Sequence, residues 1–205
     1  MTVTGLKQTT AEHITLEFDD GSQVKTTLGV VTELRLFSGK TAEDELYKEI
    51  LIKSERALAR ERALETVSRR MMSGRELFEK LRQKGYCEDT CRWCVEWIKQ
   101  NGFIDDAAYA GAIVRHYAAK GCGISRIKGE LSRRGIEKEL WDEALEEMPE
   151  TDGIIDKLLK QKLKDPADKK QVDKAVSALY RRGYSGDEIR KALSRYADES
   201  VFDDE

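Results

Sequence analysis

The chain has 205 residues, of which 40% are hydrophobic and 37% are charged, with a formal net charge of −3. This length and apolar content allow one or two domains with a buried core, and the negative net charge argues against a simple nucleic-acid-binding protein. The sequence has no signal-peptide pattern and no apolar run near the ~20 residues of a membrane helix. We therefore expect a cytoplasmic protein without membrane contact, whose four cysteines are reduced thiols.

The N-terminal segment, residues 1–45, differs in pattern from the rest of the chain. Apolar and polar residues alternate over 13–18, Asp20-Gly21 is a turn pair, and the alternation resumes over 23–28. This arrangement is typical of a β-hairpin. The stretch from Gly29 to Lys40 is compatible with a short helix or with another strand. We predict a small N-terminal unit that contains a hairpin.

From Thr41 onward the apolar spacing is helical, and the sequence repeats. A basic helix end followed by glycine and an apolar residue occurs at Gly85, Gly135 and Gly183, at spacings of 50 and 48 residues. Glycine ends a helix because it adopts the left-handed conformation cheaply, and a fixed period indicates tandem units. We predict mainly all-α structure, with three-helix repeats over 55–101, 105–148 and 152–198 and an acidic tail over 199–205.

Within the repeats, the positions of the helix ends follow from local signals. Ser73 with Glu76 and Ser185 with Glu188 have the spacing of capping boxes, and Asp165-Pro166 is typical of a helix start. The predicted helices span 55–71, 73–84 and 88–100 in the first repeat, 105–119, 123–134 and 137–147 in the second, and 152–163, 166–182 and 186–197 in the third.

Basic charge is concentrated in two runs that lie in equivalent places of the first two repeats. Lys53–Lys84 holds ten Lys or Arg against five Glu, and Arg115–Arg134 holds six against one. A solvated helix face explains either run alone, but two equivalent runs favour a binding surface for phosphates or carboxylates. The candidate binding residues are Arg69, Arg70, Arg75, Arg82, Lys84, Arg115, Lys120, Arg126, Lys128, Arg133 and Arg134.

Three clustered cysteines, Cys87, Cys91 and Cys94, allow two interpretations. Their C-x3-C-x2-C spacing matches the [4Fe–4S] motif of radical S-adenosylmethionine enzymes, and zinc binding would need Cys122 or His116 from a helix away. The repeat instead places them at the start of a helix, where cysteine acts as a small apolar residue. We favour the interpretation of the cysteines as small apolar residues, and we expect no metal and no cofactor.

No catalytic site emerges from the remaining polar residues. His13 and His116 have no nucleophile near them in sequence, and Asp105-Asp106 suits the first turn of a helix better than acid–base catalysis. We therefore predict that the protein is not an enzyme. Four aromatic residues near the apolar stripes are assigned mainly to the core, with base stacking as the alternative: Trp93, Trp97, Tyr109 and Trp141.

Several motifs in order give the chain a resemblance to a known family. RRMMSGRELFEKLRQKGY at 69–86 and NGFIDDAAYA at 101–110, continued by Val114-Arg115, Gly121 and the segment 127–136, resemble the bacterial regulatory protein RecX family. The resemblance covers 55–147 well and the third repeat more weakly. The cysteine cluster departs from the family pattern, and the third repeat lacks the Ser and Glu that open the middle helix of the first.

The resemblance implies an elongated, curved array of helices that binds the RecA–DNA filament. Such a protein inhibits or modulates the recombinase, ATPase and co-protease activities of RecA, with DNA in the filament and weak direct DNA binding as further contacts. It implies a monomer. A stand-alone helical DNA- or RNA-binding protein is the alternative, because short helix triplets overlap with helix-turn-helix patterns.

Overall fold

The computed structural model describes residues 1–149, 152–163 and 168–202. Most of these residues are helical, which confirms the mainly all-α prediction. The chain divides into two compact units, Met1–Asp105 and Asp106–Glu205, and each is described by itself. None of the helices in the described part is both long and apolar enough to cross a membrane.

The first unit begins with a small antiparallel sheet. Strands β2 (His13–Phe18) and β3 (Gln23–Thr27) form the predicted hairpin, and Gly21 in its turn has a φ of +83°. Strand β1 (Val3–Gln8) was not predicted; it pairs with β2, so the sheet has three strands in the order β1-β2-β3. Gly5 interrupts the alternation of β1, and the register shifts between Val3 and Gly5.

The ambiguous stretch after the sheet forms a helix. Helix α1 (Leu28–Glu33) starts at Thr27, whose side chain accepts a hydrogen bond from Val30 N. Helix α2 (Asp44–Val67) is longer than predicted, since its 24 residues begin at 44 and end at 67. Its first half packs on the sheet through Ile50, and its second half packs in the first repeat through Ala59 and Ala63. One helix therefore crosses the predicted boundary between the N-terminal unit and the first repeat.

Helices α3 (Gly74–Gln83) and α4 (Glu88–Gln100) complete the first repeat, close to the predicted bounds. The Ser73 hydroxyl accepts a hydrogen bond from Glu76 N at 3.0 Å, and the Glu76 carboxylate accepts one from Ser73 N at 3.2 Å. This confirms the capping box. Leu77, Leu81 and Ile98 are buried in the shared core of the three helices.

In the second unit, three-helix packing occurs twice, and each triplet has its own core. Helices α5 (Asp106–Ala119), α6 (Ile124–Arg133) and α7 (Trp141–Glu146) form the first triplet; a 3₁₀ turn, Lys138–Leu140, precedes α7. Helices α8 (Asp152–Lys162), α9 (Lys169–Arg182) and α10 (Gly186–Phe202) form the second triplet.

Two helix ends of the last triplet differ from the sequence-based bounds. The predicted start at Asp165-Pro166 lies outside the described residues, and α9 is instead capped by Asp168, which accepts hydrogen bonds from Lys170 N and Gln171 N. Helix α10 continues to Phe202 and so enters the segment predicted as an acidic tail, of which residues 203–205 are not described. The capping box of Ser185 and Glu188 is confirmed.

Candidate cationic binding surfaces

Helix α3 exposes basic side chains because its buried apolar residues lie on one face and its charged residues lie on the other. Leu77 and Leu81 point into the core, which leaves Arg75 and Arg82 on the exposed surface. The helix ends at Lys84, and Gly85 has a φ of +92°, which lets Tyr86 N donate a hydrogen bond back to Leu81 O. The cap places Lys84 at the exposed negative end of the helix.

The predicted cations of the first unit differ in their partners. Arg69 pairs with Glu65, Arg75 with Glu79 at 3.3 Å, and Arg70 with Glu76 at 3.2 Å. Arg82 donates to the Tyr86 carbonyl at 2.8 Å. Lys84 forms no ion pair with any described residue. All five side chains are exposed, so the three ion pairs of Arg69, Arg70 and Arg75 are screened and weak.

A basic pocket lies between the C-terminal half of α2 and helix α3. Its volume is about 430 Å³, and its lining includes Met72, Leu81 and the uncharged polar residues Thr66 and Gln83. Its charged lining residues are Arg62, Arg69, Arg70, Lys80, Lys84 and Glu65. Five cations against one carboxylate make the lining of this cavity strongly basic. We call it the α2–α3 pocket.

Helix α6 carries the candidate cations of the second unit on the side opposite Ile127 and Leu131, which are buried. Arg126 and Arg133 are exposed, yet both pair with Glu130, whose residue surface is only 7% accessible. Burial opposes ionisation of Glu130, but hydrogen bonds from Arg133 and Tyr117 and the nearby Arg charges outweigh it and lower its pKa. The carboxylate therefore offsets part of the positive charge of α6.

The remaining candidates of the second unit have separate surroundings. Arg115 pairs with Glu147, and the Lys120 ammonium lies 5.6 Å from the centre of the Tyr117 ring. Lys128 is exposed and has no ion-pair partner among the described residues. Arg134 is half-buried: it donates to the Tyr109 hydroxyl, and its guanidinium lies over the same ring at 5.6 Å. Lys120 and Lys128 thus have no carboxylate partner within the described part of the chain.

Backbone contacts fix α6 against the last triplet. Gly123 N donates to Arg182 O at 2.8 Å, and Ser125 N donates to Gly183 O at 3.2 Å. A Cβ at Gly123 would lie 2.4 Å from Gly183 O, so only glycine permits this approach. Tyr184 Oη also donates to Gly121 O at 3.1 Å. The start of α6 is therefore held by main-chain contacts from the third repeat.

The aromatic residues lie at the edges of the cores. Trp93 and Trp97 are half-buried, with the Arg56 and Arg60 guanidinium groups 5.0 and 5.3 Å from their ring centres. Trp97 stacks on Phe103, a ring with 51% exposure, at a centroid distance of 6.1 Å. In the second unit Tyr109 is buried, and Trp141 Nε1 donates to Ile136 O at 3.1 Å.

The three clustered cysteines lie at the start of α4, as the repeat predicted. Cys87 is exposed and caps the helix, and both its N–H and its thiol donate to the Glu55 carboxylate, at 2.7 and 2.9 Å. Cys91 and Cys94 are fully buried core residues. Burial raises the pKa of both buried thiols, that of Cys94 to about 11, which disfavours the thiolate that metal binding needs.

No described group of three or more His, Cys, Asp or Glu side chains is arranged to hold a metal ion. His13 Nε2 lies 2.7 Å from the Glu61 carboxylate, and His116 packs edge-on against Tyr117. Asp106 lies in the first turn of α5, where the helix dipole favours an acidic residue.

Sequence reasoning missed two pocket residues and one charge-neutralising residue. Arg62 and Lys80 line the α2–α3 pocket, and Glu130 neutralises two candidate arginines. The signal for Lys80 was its i,i+4 spacing from Lys84, which places both on one face of α3. Glu130 lies four residues after Arg126 and three before Arg133, a spacing that also indicates ion pairs on a helix.

The fold and its exposed basic helices define a class of protein: tandem three-helix domains preceded by a small antiparallel sheet. Two family models match the chain, "RecX, first three-helix domain" over residues 59–97 and "RecX, second three-helix domain" over 105–145. A regulatory protein RecX of Vibrio parahaemolyticus is 34% identical over 140 residues, which cover 66% of this chain and 90% of that protein. The chain belongs to the RecX family of regulatory proteins.

Other relatives and solved structures agree with this assignment. The regulatory protein RecX of Xanthomonas axonopodis pv. citri is 35% identical over 136 residues, covering 64% of this chain and 83% of that protein. A crystal structure of a regulatory protein RecX matches with a TM-score of 0.73 at 19% identity, over 94% of this chain and 98% of that one. RecX from Lactobacillus salivarius matches with a TM-score of 0.60 at 22% identity, over 69% and 96%. At these identities the two structures show a shared fold.

Proposed function

We propose that this protein binds the RecA recombinase in its RecA–DNA filament and inhibits or modulates the recombinase, ATPase and co-protease activities of RecA. In this proposal it acts in the cytoplasm as a monomeric binding protein rather than as an enzyme. It contacts both RecA and the DNA within the filament. The predicted division into an N-terminal unit, three repeats and an acidic tail is retained as part of the same proposal.

The observation that carries the proposal is the match to regulatory proteins named RecX over 83% to 90% of their length. The cationic surfaces support it, because the exposed arginines and lysines of each unit suit both phosphates and protein carboxylates. A filament presents both kinds of group. Duplex DNA alone carries one charge per about 1.7 Å, which attracts such surfaces over a long range.

Internal ion pairs support selectivity for the filament over free DNA. Glu130 and Glu147 engage three of the six second-unit candidates, Arg126, Arg133 and Arg115. The whole chain is also slightly acidic, at −3. Both features weaken nonspecific attraction to DNA, so protein contacts must contribute to recognition.

A stand-alone nucleic-acid-binding function is the second candidate. The α2–α3 pocket favours it, because five cations line one cavity of the first unit. The two functions differ in a simple respect: the stand-alone protein binds short oligonucleotides with a steep salt dependence and leaves RecA unaffected.

The test measures DNA-dependent RecA ATPase and strand exchange while the protein is titrated in. We expect inhibition by the unaltered protein, and weaker inhibition when Lys120 and Lys128 are both changed to Gln. Neither lysine shields a buried carboxylate, so the variant stays folded. Two lost surface charges of up to ~1 kcal/mol each raise the half-inhibitory concentration roughly 2- to 30-fold.

The matched control changes Lys138 and Lys191 to Gln, which removes the same charge from exposed positions outside the candidate surface. Inhibition by the control should equal that of the unaltered protein. Absence of any effect of the unaltered protein on RecA would refute the proposal, and equal loss in both variants would refute the assigned surface.

A further inference from the structure

The α2–α3 pocket is a built concave site whose charge is not explained by the fold. Its cations come from two helices, with Arg62 and Arg69 on α2 or just beyond it and Lys80 on α3. We propose that this pocket binds the phosphodiester backbone of nucleic acid, taking consecutive phosphates of one strand. The inference rests on the proposed function in one respect only, since it takes nucleic acid to be part of the partner.

The pocket lining retains a net positive charge after the ion pairs among its own residues are counted. Arg62 and Arg69 both pair with Glu65, and this pairing lowers the Glu65 pKa, so one carboxylate is shared by two guanidinium groups. Lys80 and Lys84 form no ion pair with any residue in the described part of the chain. The single carboxylate of Glu65 can neutralise only one of its two arginine partners. The positive charge available to a ligand is therefore carried mainly by the two lysines and by the charge of the second arginine.

The charge density favours phosphates over a carboxylate from a protein partner. An Asp or Glu side chain brings a single negative charge, whereas a nucleic-acid strand brings one for every ~3.4 Å. Lys80 and Lys84 are one helical turn apart, about 6 Å along the axis, a spacing that flexible lysine side chains can match to successive phosphates of one strand. The guanidinium group of an arginine can also donate two parallel hydrogen bonds to two oxygens of one phosphate.

The lining of the pocket is compatible with a sugar–phosphate chain. Met72 and Leu81 also line the pocket, and at 3% and 1% exposure these almost fully buried side chains make part of its wall apolar. Gln83 on the rim adds an uncharged amide donor. A backbone with apolar sugars between charged phosphates fits this combination, and no base-specific contact is required.

The experiment measures binding of the full chain to a fluorescein-labelled oligothymidylate by anisotropy, without RecA, between about 50 and 200 mM salt. The test variant is Lys80→Gln with Lys84→Gln. The control is Lys48→Gln with Arg92→Gln, an equal loss of charge from exposed side chains of α2 and α4 outside the pocket. Labelled polyglutamate serves as the acidic-protein probe, and far-UV circular dichroism verifies that all variants are folded.

We expect the Lys80 and Lys84 variant to lose about tenfold in oligonucleotide affinity at low salt. A plot of log affinity against log salt concentration should have a slope that is shallower by about 1.4, the value expected for the loss of two single-strand phosphate contacts. The control should change affinity less than twofold. Equal losses in both variants would overturn the site, because they indicate attraction to net charge alone. A loss for polyglutamate without a loss for the oligonucleotide would also overturn it, and would assign the pocket to a protein partner.

A parallel RecA ATPase titration separates this inference from the proposed function. If the unaltered protein inhibits RecA but the Lys80 and Lys84 variant binds the oligonucleotide normally, the pocket is refuted and the function stands. If the protein leaves RecA unaffected but the variant loses oligonucleotide binding, the function is refuted and the pocket stands.

Discussion

Replacing Gly123 by Ala should destabilise the second unit, because the N-terminus of α6 touches the backbone of the third repeat. A Cβ at this position would lie 2.4 Å from Gly183 O, 2.5 Å from Gly183 C and 2.7 Å from Tyr184 N. All three atoms belong to the main chain, so none can rotate away. The φ of Gly123 is −80°, which alanine adopts freely, so the effect is steric alone.

The magnitude follows from the contacts that must open. Overpacking of this kind costs about 1–3 kcal/mol. Separating the chains also weakens the hydrogen bonds from Gly123 N and Ser125 N, each contributing about 0.5–1.5 kcal/mol. The expected loss in unfolding free energy is therefore about 2–6 kcal/mol. For a unit of about 100 residues, this lowers the Tm by at least ~8 °C.

Gly129→Ala is the matched control, since Gly129 lies inside the same helix and its added Cβ would meet nothing within 4 Å. Alanine there should stabilise the helix by about 0.5–1 kcal/mol. Thermal unfolding by circular dichroism compares the two variants, and hydrogen exchange reports the amides of Gly123 and Ser125. If Gly123→Ala unfolds at the temperature of the unaltered protein with those amides still protected, the inferred contact is wrong.

Four further predictions concern single side chains. Ser73→Ala should lower the free energy of unfolding by ~1 kcal/mol in urea titrations through loss of the α3 cap, and an unchanged midpoint would contradict the cap. Cys94 has a pKa raised to about 11 by burial, so stability should fall above about pH 9 as the unfolded thiol ionises; Cys94→Ala should reduce that fall by at most ~1.4 kcal/mol per pH unit. In the folded protein iodoacetamide should modify exposed Cys87 well before Cys94, and equal rates would contradict the burial. Glu130→Gln should destabilise by about 1–3 kcal/mol yet strengthen oligonucleotide binding at low salt, because Arg126 and Arg133 lose their shared carboxylate; weaker binding by the folded variant would contradict this reasoning.

Features that depend on short stretches of sequence were predicted well. The hairpin around Gly21, the capping boxes at Ser73 and Ser185 and the left-handed glycine at 183 each require only a few neighbouring residues. The helical triplets followed from the apolar period and from the repeat of these end signals. Local chemistry was therefore sufficient for the elements and for their number per repeat.

Features that depend on tertiary contacts were missed. Strand β1 is short and interrupted by Gly5, and it forms because β2 offers a free edge. Helix α2 begins at Asp44 because its first turns pack on the sheet, a partner that the helical pattern does not reveal. The surface candidates were chosen by residue type, but charge alone does not show that Glu130 is buried between two of them. Binding capacity depends on such pairing as much as on composition.

The most direct test of the proposed function is co-sedimentation of the protein with RecA filaments assembled on DNA with a slowly hydrolysed ATP analogue. Free DNA and free RecA serve as the two comparisons. We predict saturable binding to the filament that is tighter than binding to either component and that weakens with added salt, because the exposed cations of both units contribute. Recovery of the protein in the supernatant at every filament concentration would contradict the account.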